Sequence, residues 1–546
     1  MPSVPPHTYP GVYIQELPGG VRTITGVATS IAAFIGRAAR GPVNEPTMIN
    51  SFADFENIFG GLWSQSALGQ MVRDFYLNGG SQAIIVRLYH ADAPAPAPAS
   101  GTGKGAESGT ANTPSTPPKT TATLNADTLP LAASNPGSWG NYLRARIESV
   151  NVQGIGARYG LNDTDLFTLT VTDTRTNTTE IFRNVSFQPG SQQVDKVLAM
   201  QSSLVRVPAG TVLPGVPPKA HGAPAKGKSI WEDDAASSGV QSKDAATDGS
   251  ALTSDDFIGN GTASNKTGLY ALERVDLFNL LALAPYTPGN DVDAGVIAEA
   301  AAYCERRRAI LLVDPPGTWN NKDQARAGLS SLGTSSKNAV LYYPRLRRAD
   351  SLDDFVPSGA IAGVIARTDV TRGVWKAPAG LDATLTGVSR LSVSLTDAEI
   401  GELNQLGINS LRTMPAAGPV VWGARTLQGD DRLESEWKYL SVRRLALYIE
   451  ESLYEGTKWV VFEPNSETLW SQIRLNLGTF MRGLFRQGAF QGQTPQDAYF
   501  VQCDSTTTAQ ADIDQGIVNI VVGFAPLKPA EFVILNIQQM AGQLTA

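Results

Sequence analysis

LFNLLALAPYTPGNDVDAGVIAEAAAYCERRRAILLVDPPG, residues 277–317, sets two short apolar runs on either side of an alanine-rich stretch. Runs of this length closed by Pro or Gly read as buried strands, and both fall far short of a membrane span. The middle, DAGVIAEAAAYCERRR, is rich in helix formers. Strand, helix, strand is the repeating unit of an α/β sheet. KNAVLYYPRL (337–346) adds a strand downstream, and LTDAEIGELNQLG (395–407) a helix with Thr396 as N-cap and Gly407 as stop. Upstream, GVATSIAAFIGRAARGP (26–42) and AIIVRLYH (83–90) read as strands. Between them lie two helices, with Ser51 and Ser66 as caps and Gly79 and Gly80 as a stop.

Composition changes abruptly after residue 90. A tract rich in Ala, Pro, Gly, Ser and Thr carries almost no large apolar residue and cannot bury enough surface to order itself. Alternating strands return in NYLRARIESV and LFTLTVTDTRTNTTEIFRNVSF, and a second polar tract runs from about 208 to 266. The expectation is a β-rich module near 125–207, framed by two flexible tracts and inserted on the surface of another domain. Near the C-terminus, KYLSVRRLALYIEESLYEG puts Val442, Leu445, Ile449 and Leu453 on one helical face. SETLWSQIRLNLGTFMRGLFRQG does the same with Leu469, Ile473, Leu477, Phe480 and Leu484, under a cap from Asn465 or Ser466. AYFVQCD (498–504) is a strand, and VNIVVGFAPLKPAEFVILNI (518–537) holds two more, divided by prolines. The last of these lies within ten residues of the chain end, where chains are usually frayed and polar.

The chain has 546 residues, a net charge of −7 and two cysteines, Cys304 and Cys503. The charge gives no support for nucleic acid as a partner, which favours a basic face. Two distant cysteines read as buried free thiols of a reducing compartment. The N-terminus lacks the pattern of a secretory signal, and no apolar run reaches membrane length, so synthesis in the cytoplasm is expected.

Signals for chemistry are weak. His7, His90 and His221 have no metal spacing and no fixed triad partners. GNGTASNKTG (259–268) is similar to a phosphate loop, but Asn260 and Asn265 stand where that pattern needs glycine. Asp314 ends a strand, where α/β sheets often place functional groups; the plainer reading is a turn-capping aspartate. Asp504, Asp512 and Asp514 lack calcium-loop spacing. Arg443, Arg444, Glu450 and Glu451 read as a solvated helix face.

Several long segments resemble the contractile tail sheath family of phages, R-type bacteriocins and related injection systems. They are VPSGAIAGVIARTDVTRGVWKAPAG (356–380), LNQLGINSLR (403–412), VVWGARTL (420–427), YLSVRRLALYIEESLYEGTKWVVFEPNSETLW (439–470), AYFVQCD and APLKPAEFV (525–533). YPGVYIQEL, FIGRAARGPVNEP and NPGSWGNYLRARI (135–147) join them. The resemblance spans all but the low-complexity tracts. It implies an α/β and α+β multidomain fold, divided as follows. An N-terminal linking arm covers 1–25, a middle α/β domain 26–90 and 269–390, and a β-rich outer insertion 91–268. An inner domain facing a tube covers 391–530, and a C-terminal linking arm 531–546. It also implies that Val12, Tyr13 and Ile14 at one end, and Phe532, Val533, Ile534 and Leu535 at the other, add strands to neighbouring copies.

Arg474, Arg482 and Arg486 would face the tube. The partners implied are copies of the same chain in a helical homo-oligomer, an inner tube protein, and baseplate and terminal cap proteins. Neither nucleic acid, membrane insertion, catalysis nor any cofactor is implied. The subunit would polymerise in an extended metastable state in the bacterial cytoplasm, within a phage tail or tail-like particle, and contract to drive the tube through an envelope. Other readings are a sheath-like paralogue at the baseplate or terminal end, an α/β enzyme using Asp314, or an adhesin built on the insertion.

Overall fold

The computed structural model describes residues 23–92, 120–150, 153–349 and 353–535. The chain divides into two compact units. Of the described residues, the larger comprises those within 28–372 and 376–443, and the smaller 23–27, 373–375 and 444–535.

The larger unit is built on an eight-stranded sheet of order β18-β17-β13-β12-β11-β1-β3-β2. Its strands are β1 (Ala32–Arg37), β2 (Thr47–Ile49), β3 (Ala83–Leu88), β11 (Leu280–Leu283), β12 (Ile310–Val313), β13 (Ala339–Tyr343), β17 (Ile408–Met414) and β18 (Gly418–Val421). β3, β1, β11, β12, β13 and β17 run parallel, and β2 and β18 close the two edges antiparallel. The parallel strands β1, β3, β11, β12 and β13 are buried along their whole length. Helices on both faces of a parallel sheet impose that burial, which is why these strands read as continuous apolar runs rather than alternating ones. A short patch of β14 (Leu346–Arg347), β15 (Asp354–Phe355) and β16 (Arg390–Leu391) follows β13.

Helices Leu68–Leu77 and Ser358–Arg372 pack closely. A Cβ on Gly363 would sit 2.4 Å from the Phe75 carbonyl oxygen, so the small residues of SGAIAGVIA set the helix spacing. Several of the polar groups left inside are paired. Arg348 gives both carboxylate oxygens of Asp74 a hydrogen bond, at 2.9 and 2.8 Å. Asn409 donates to the carbonyls of Leu341 and Arg425 and accepts from the Arg425 amide.

Within the same unit the insertion has its own core around Trp139, Leu169 and Val171. One sheet has the order β10-β6-β7-β8 and the other β4-β5-β9. Their strands are β4 (Thr123–Ala126), β5 (Leu129–Ala133), β6 (Leu143–Ser149), β7 (Leu166–Asp173), β8 (Thr178–Ser186), β9 (Val205–Arg206) and β10 (Ser238–Gly239).

Two expectations need correction. The polar tract 208–266 is not a flexible linker. β10 pairs with β6, Arg144 holds Asp234 at 2.7 Å, and Arg146 donates to the carbonyls of Gly222 and Ala236. Phe257 is fully buried in the core of the main sheet. Its polar residues cap turns, as Asp233 does by accepting from the amides of Ala225 and Ala235. The boundary set at 390/391 also lies inside the larger unit, because β17 extends the sheet beside β13 and the unit continues to Arg443.

In the smaller unit, helix Leu440–Thr457 contributes its residues from Arg444 onward. Leu445 and Ile449 pack with Met481 and Leu484 of helix Glu467–Arg486, and Leu469, Ile473 and Leu477 pack with Ile24 and Cys503. The 3.6-residue period predicts these faces. Among the described residues the unit's sheet has two strands, β19 (Tyr499–Gln502) and β20 (Val521–Phe524), paired antiparallel.

Candidate assembly surfaces

Helix Glu467–Arg486 starts at an extended Ser466, with Glu467 in its first turn, where a carboxylate favours the positive end of the helix dipole. That carboxylate does more. It pairs with Arg474 at 2.7 Å, and Arg474 also donates to Ser471 Oγ at 3.0 Å and to the Cys503 carbonyl. Arg474 is therefore committed inside its own unit. Arg482 and Arg486 are exposed. The three arginines differ, and the sequence holds the signal: Glu467 lies seven residues before Arg474, two turns along the same face.

Phe532, Val533, Ile534 and Leu535 are 76%, 80%, 82% and 80% exposed. They pair with no strand among the described residues. The chain leading to them is anchored, since Phe490 forms an isolated bridge with Pro526 and the Gln491 amide bonds the Ala525 carbonyl. Four consecutive large apolar residues thus stand in solvent just past an anchored turn. Val12, Tyr13 and Ile14 lie outside the described residues.

A further exposed site has no counterpart in the sequence reading. Phe462 is fully exposed with φ at +70°, and Val461 beside it is 62% exposed. Left-handed backbone at a bulky residue is strained. The turn is held by Asn465, which donates to the Ile517 carbonyl at 2.9 Å and accepts from Trp470 Nε1 at 2.8 Å. Glu463 closes onto the Val460 carbonyl. A strained aromatic on a fixed turn is legible only from dihedral angles.

The chemical candidates resolve into structural roles. Asp314 accepts from Ser358 N at 2.9 Å and Ser358 Oγ at 2.7 Å, at the start of helix Ser358–Arg372. Burial pushes its carboxyl up to about 7, against the pull of those two donors. The cavity beside it, lined by Asp291, Asp314 and Arg345, is about 40 Å³, room for a few waters. Arg345 is occupied by Asp291 and the Pro315 carbonyl.

His90 contacts Asp256 at 3.0 Å, and His221 bonds the Ile147 amide and Ser238, each at 3.0 Å. His7 lies outside the described residues. Asp504 accepts from Thr506, and Asp512 from Ala509 and Asn519. Arg443 and Arg444 are buried rather than solvated. Arg443 bonds Asn338 at 2.8 Å and stacks over Trp437. Cys304 and Cys503 are free and buried. Among the described residues, no group of His, Cys, Asp and Glu could hold a metal ion. None of their helices is long and apolar enough to cross a membrane.

Comparison with known proteins places these surfaces in context. Residues 259–427 match the phage tail sheath protein central domain, and residues 434–540 the phage tail sheath C-terminal domain. A putative prophage major tail sheath protein of Pseudomonas aeruginosa (strain UCBPP-PA14) is 28% identical over 280 residues, 50% of this chain and 69% of that protein. The tail sheath protein of Vibrio phage KVP40 is 27% identical over 216 residues, 39% of this chain and 31% of the relative. In fold, the chain is similar to the sheath of the PVC extracellular contractile injection system in its contracted state. The TM-score is 0.54 at 21% identity, over 98% of this chain and 99% of that one. A sheath tail protein from Listeria innocua gives 0.57 at 12% identity, over 92% and 96%.

Proposed function

The chain belongs to the phage tail sheath family, and we propose that it joins its neighbours through its terminal segments and grips an inner tube through the exposed end of helix Glu467–Arg486. It is a structural subunit of a contractile sheath, a component of a phage tail or tail-like particle that assembles with copies of itself. The observation that carries the proposed linkage is the exposure of Phe532–Leu535. An unpaired apolar segment offers main-chain hydrogen bonds and alternating side chains to a sheet in another copy. Residues 1–25 are proposed to do the same at the opposite end. Such links let subunits shift while staying joined. A shorter, wider helix that buries more surface would then sum a small gain per subunit into the work of driving the tube. The reading needs no catalytic group, cofactor, nucleic acid or membrane insertion. Assembly takes place in the bacterial cytoplasm, with baseplate and cap proteins bounding the sheath.

Arg482 and Arg486 are the tube contacts in this reading, and Arg474 shapes the helix that presents them. Exposed ion pairs are worth about 0–1 kcal/mol each, which suits a contact that must release during contraction. The test is electron microscopy of the full chain and of a chain lacking residues 531–546. Wide hollow helical tubes from the full chain alone support the linkage. Tubes from both chains refute it. Assembly on tubes by Arg482→Glu/Arg486→Glu as efficient as by the native chain would refute the tube contact.

A further inference from the structure

A cavity of about 310 Å³ lies in the larger unit, where helix Ser358–Arg372 ends. Arg367, Thr368, Thr371, Arg372, Lys376 and Asp382 contribute its polar walls. The volume is at the lower end of the range for small-molecule sites, roughly 300–1,000 Å³.

Its charge is lopsided, with three cations facing one carboxylate. Asp382 lies 3.6 Å from Arg372, but its side chain is 88% exposed, so water screens the pair. The other two cations are positioned by carbonyls rather than by acids. Arg367 donates to the Asn78 carbonyl at 3.2 Å and the Thr384 carbonyl at 2.7 Å. Lys376 donates to the Ala377 carbonyl at 2.9 Å. Burial, and then the neighbouring Arg372, holds the Lys376 amine below the usual lysine range, and burial does the same to Arg367.

A cation at a helix C-terminus is ordinarily explained by the helix dipole. That accounts for Arg372. It does not account for Lys376, which lies past the helix end and crowds a like charge. The hydroxyls sharpen the chemistry. Thr368 donates back to the Val364 carbonyl, and Thr371 to the Arg367 carbonyl. They have no proton left for a ligand, so recognition falls to the cations.

We propose that this cavity binds a multivalent oxyanion, a polycarboxylate or polyphosphate, between Arg372 and Lys376, with Arg367 fixing the back wall. Such an anion could be free in solution or be supplied by the carboxylates of a second copy, and the test separates the two. Citrate and pyrophosphate are titrated calorimetrically into the full chain at ionic strength held constant with chloride. The same is done for Lys376→Gln, Arg372→Gln, the charge-keeping Lys376→Arg, and Lys196→Gln, an exposed charge in the insertion. Melting temperatures confirm that each variant is folded. In parallel, sedimentation measures the concentration at which each chain polymerises.

For a free anion, saturable binding to the native chain weakens at least tenfold in Lys376→Gln and Arg372→Gln. It stays within about threefold in Lys376→Arg and Lys196→Gln. For carboxylates of a second copy, neither probe binds, but the two glutamine variants need at least tenfold more protein to polymerise while Lys196→Gln does not. Binding that survives both glutamine substitutions overturns the proposal. So does the absence of binding together with unchanged polymerisation.

Discussion

The two units of this chain close their sheets in different ways. In the larger, eight strands lie side by side, five of the six parallel strands are buried throughout, and an antiparallel strand lies at each edge. Its buried charges have partners, as Arg348 and Asp74 show. In the smaller, the sheet has two strands among the described residues. Around it Val461, Phe462, Leu475, Phe500 and Val521 stand exposed, followed by Phe532–Leu535. A two-stranded ribbon is marginal alone, and exposed large apolar side chains offer a place where a partner can dock. On the reading proposed above, the larger unit meets most of its own folding needs, and the smaller one holds part of its apolar surface out to neighbouring copies. Substitutions in the larger unit should therefore cost stability, and those on the smaller unit's exposed residues should cost assembly.

The largest stability effect is expected at Asp74→Ala. It strands the buried Arg348 guanidinium, and breaking a buried pair costs about 3–5 kcal/mol. Urea unfolding of the larger unit reads this directly. A loss below 1 kcal/mol would break the comparison, because the interior would then tolerate an unpaired charge.

Asp314→Asn comes next and is read through pH. The native carboxyl titrates at about 7, against 3.8 for an ordinary aspartate. Between those values the folded chain holds a proton that the unfolded chain has lost. Stability from this group is therefore full below about pH 4 and is lost as pH rises through 7, by at most about 1.4 kcal/mol per pH unit. The native chain should gain on the order of 2 kcal/mol over Asp314→Asn between pH 8 and pH 5.5. A constant difference would mean that the Ser358 donors keep the carboxylate ionised throughout.

What the sequence reveals follows the same division. The strands of the main sheet and the faces of the two C-terminal helices are legible because burial writes itself as apolar runs and as a 3.6-residue period. Thr396 caps its helix as expected, with its hydroxyl accepting from Glu399 N. The tract 208–266 is illegible because turn-capping aspartates and arginine-to-carbonyl bonds hold it, and these leave no periodic signal. The boundary between units is illegible because helix Leu440–Thr457 runs unbroken across it. At the assembly surfaces, composition gives the apolar terminal segment, and the family resemblance supplies only the role proposed for it. The commitment of Arg474 to Glu467 and the strain at Phe462 required coordinates.

Phe462→Gly tests that strain and should run opposite to the first two substitutions. A left-handed non-glycine residue costs about 1–2 kcal/mol, and glycine returns roughly half of that in unfolded-state entropy. The free chain should gain about 0.5–1 kcal/mol in thermal unfolding. If it also assembles less well, the strained aromatic is kept for a contact in the polymer. If assembly is untouched, Phe462 leaves the set of exposed residues that serve partners.

The smallest effect on stability is expected from Val533→Asp, Ile534→Asp and Leu535→Asp together. These side chains are at least 80% exposed, and exposed substitutions away from special features usually change stability by no more than about 0.5 kcal/mol. An ordinary terminal strand would behave differently, because three charges placed in a sheet that packs on its own unit would unfold that unit. The triple variant therefore separates a segment that the subunit needs for itself from one it holds out to a neighbour. Unchanged unfolding with lost tube formation, seen by denaturation and electron microscopy on the same preparation, assigns the segment to the neighbour. Unchanged unfolding with intact tubes would leave the polymer held by other contacts, and the proposed linkage through Phe532–Leu535 would fall.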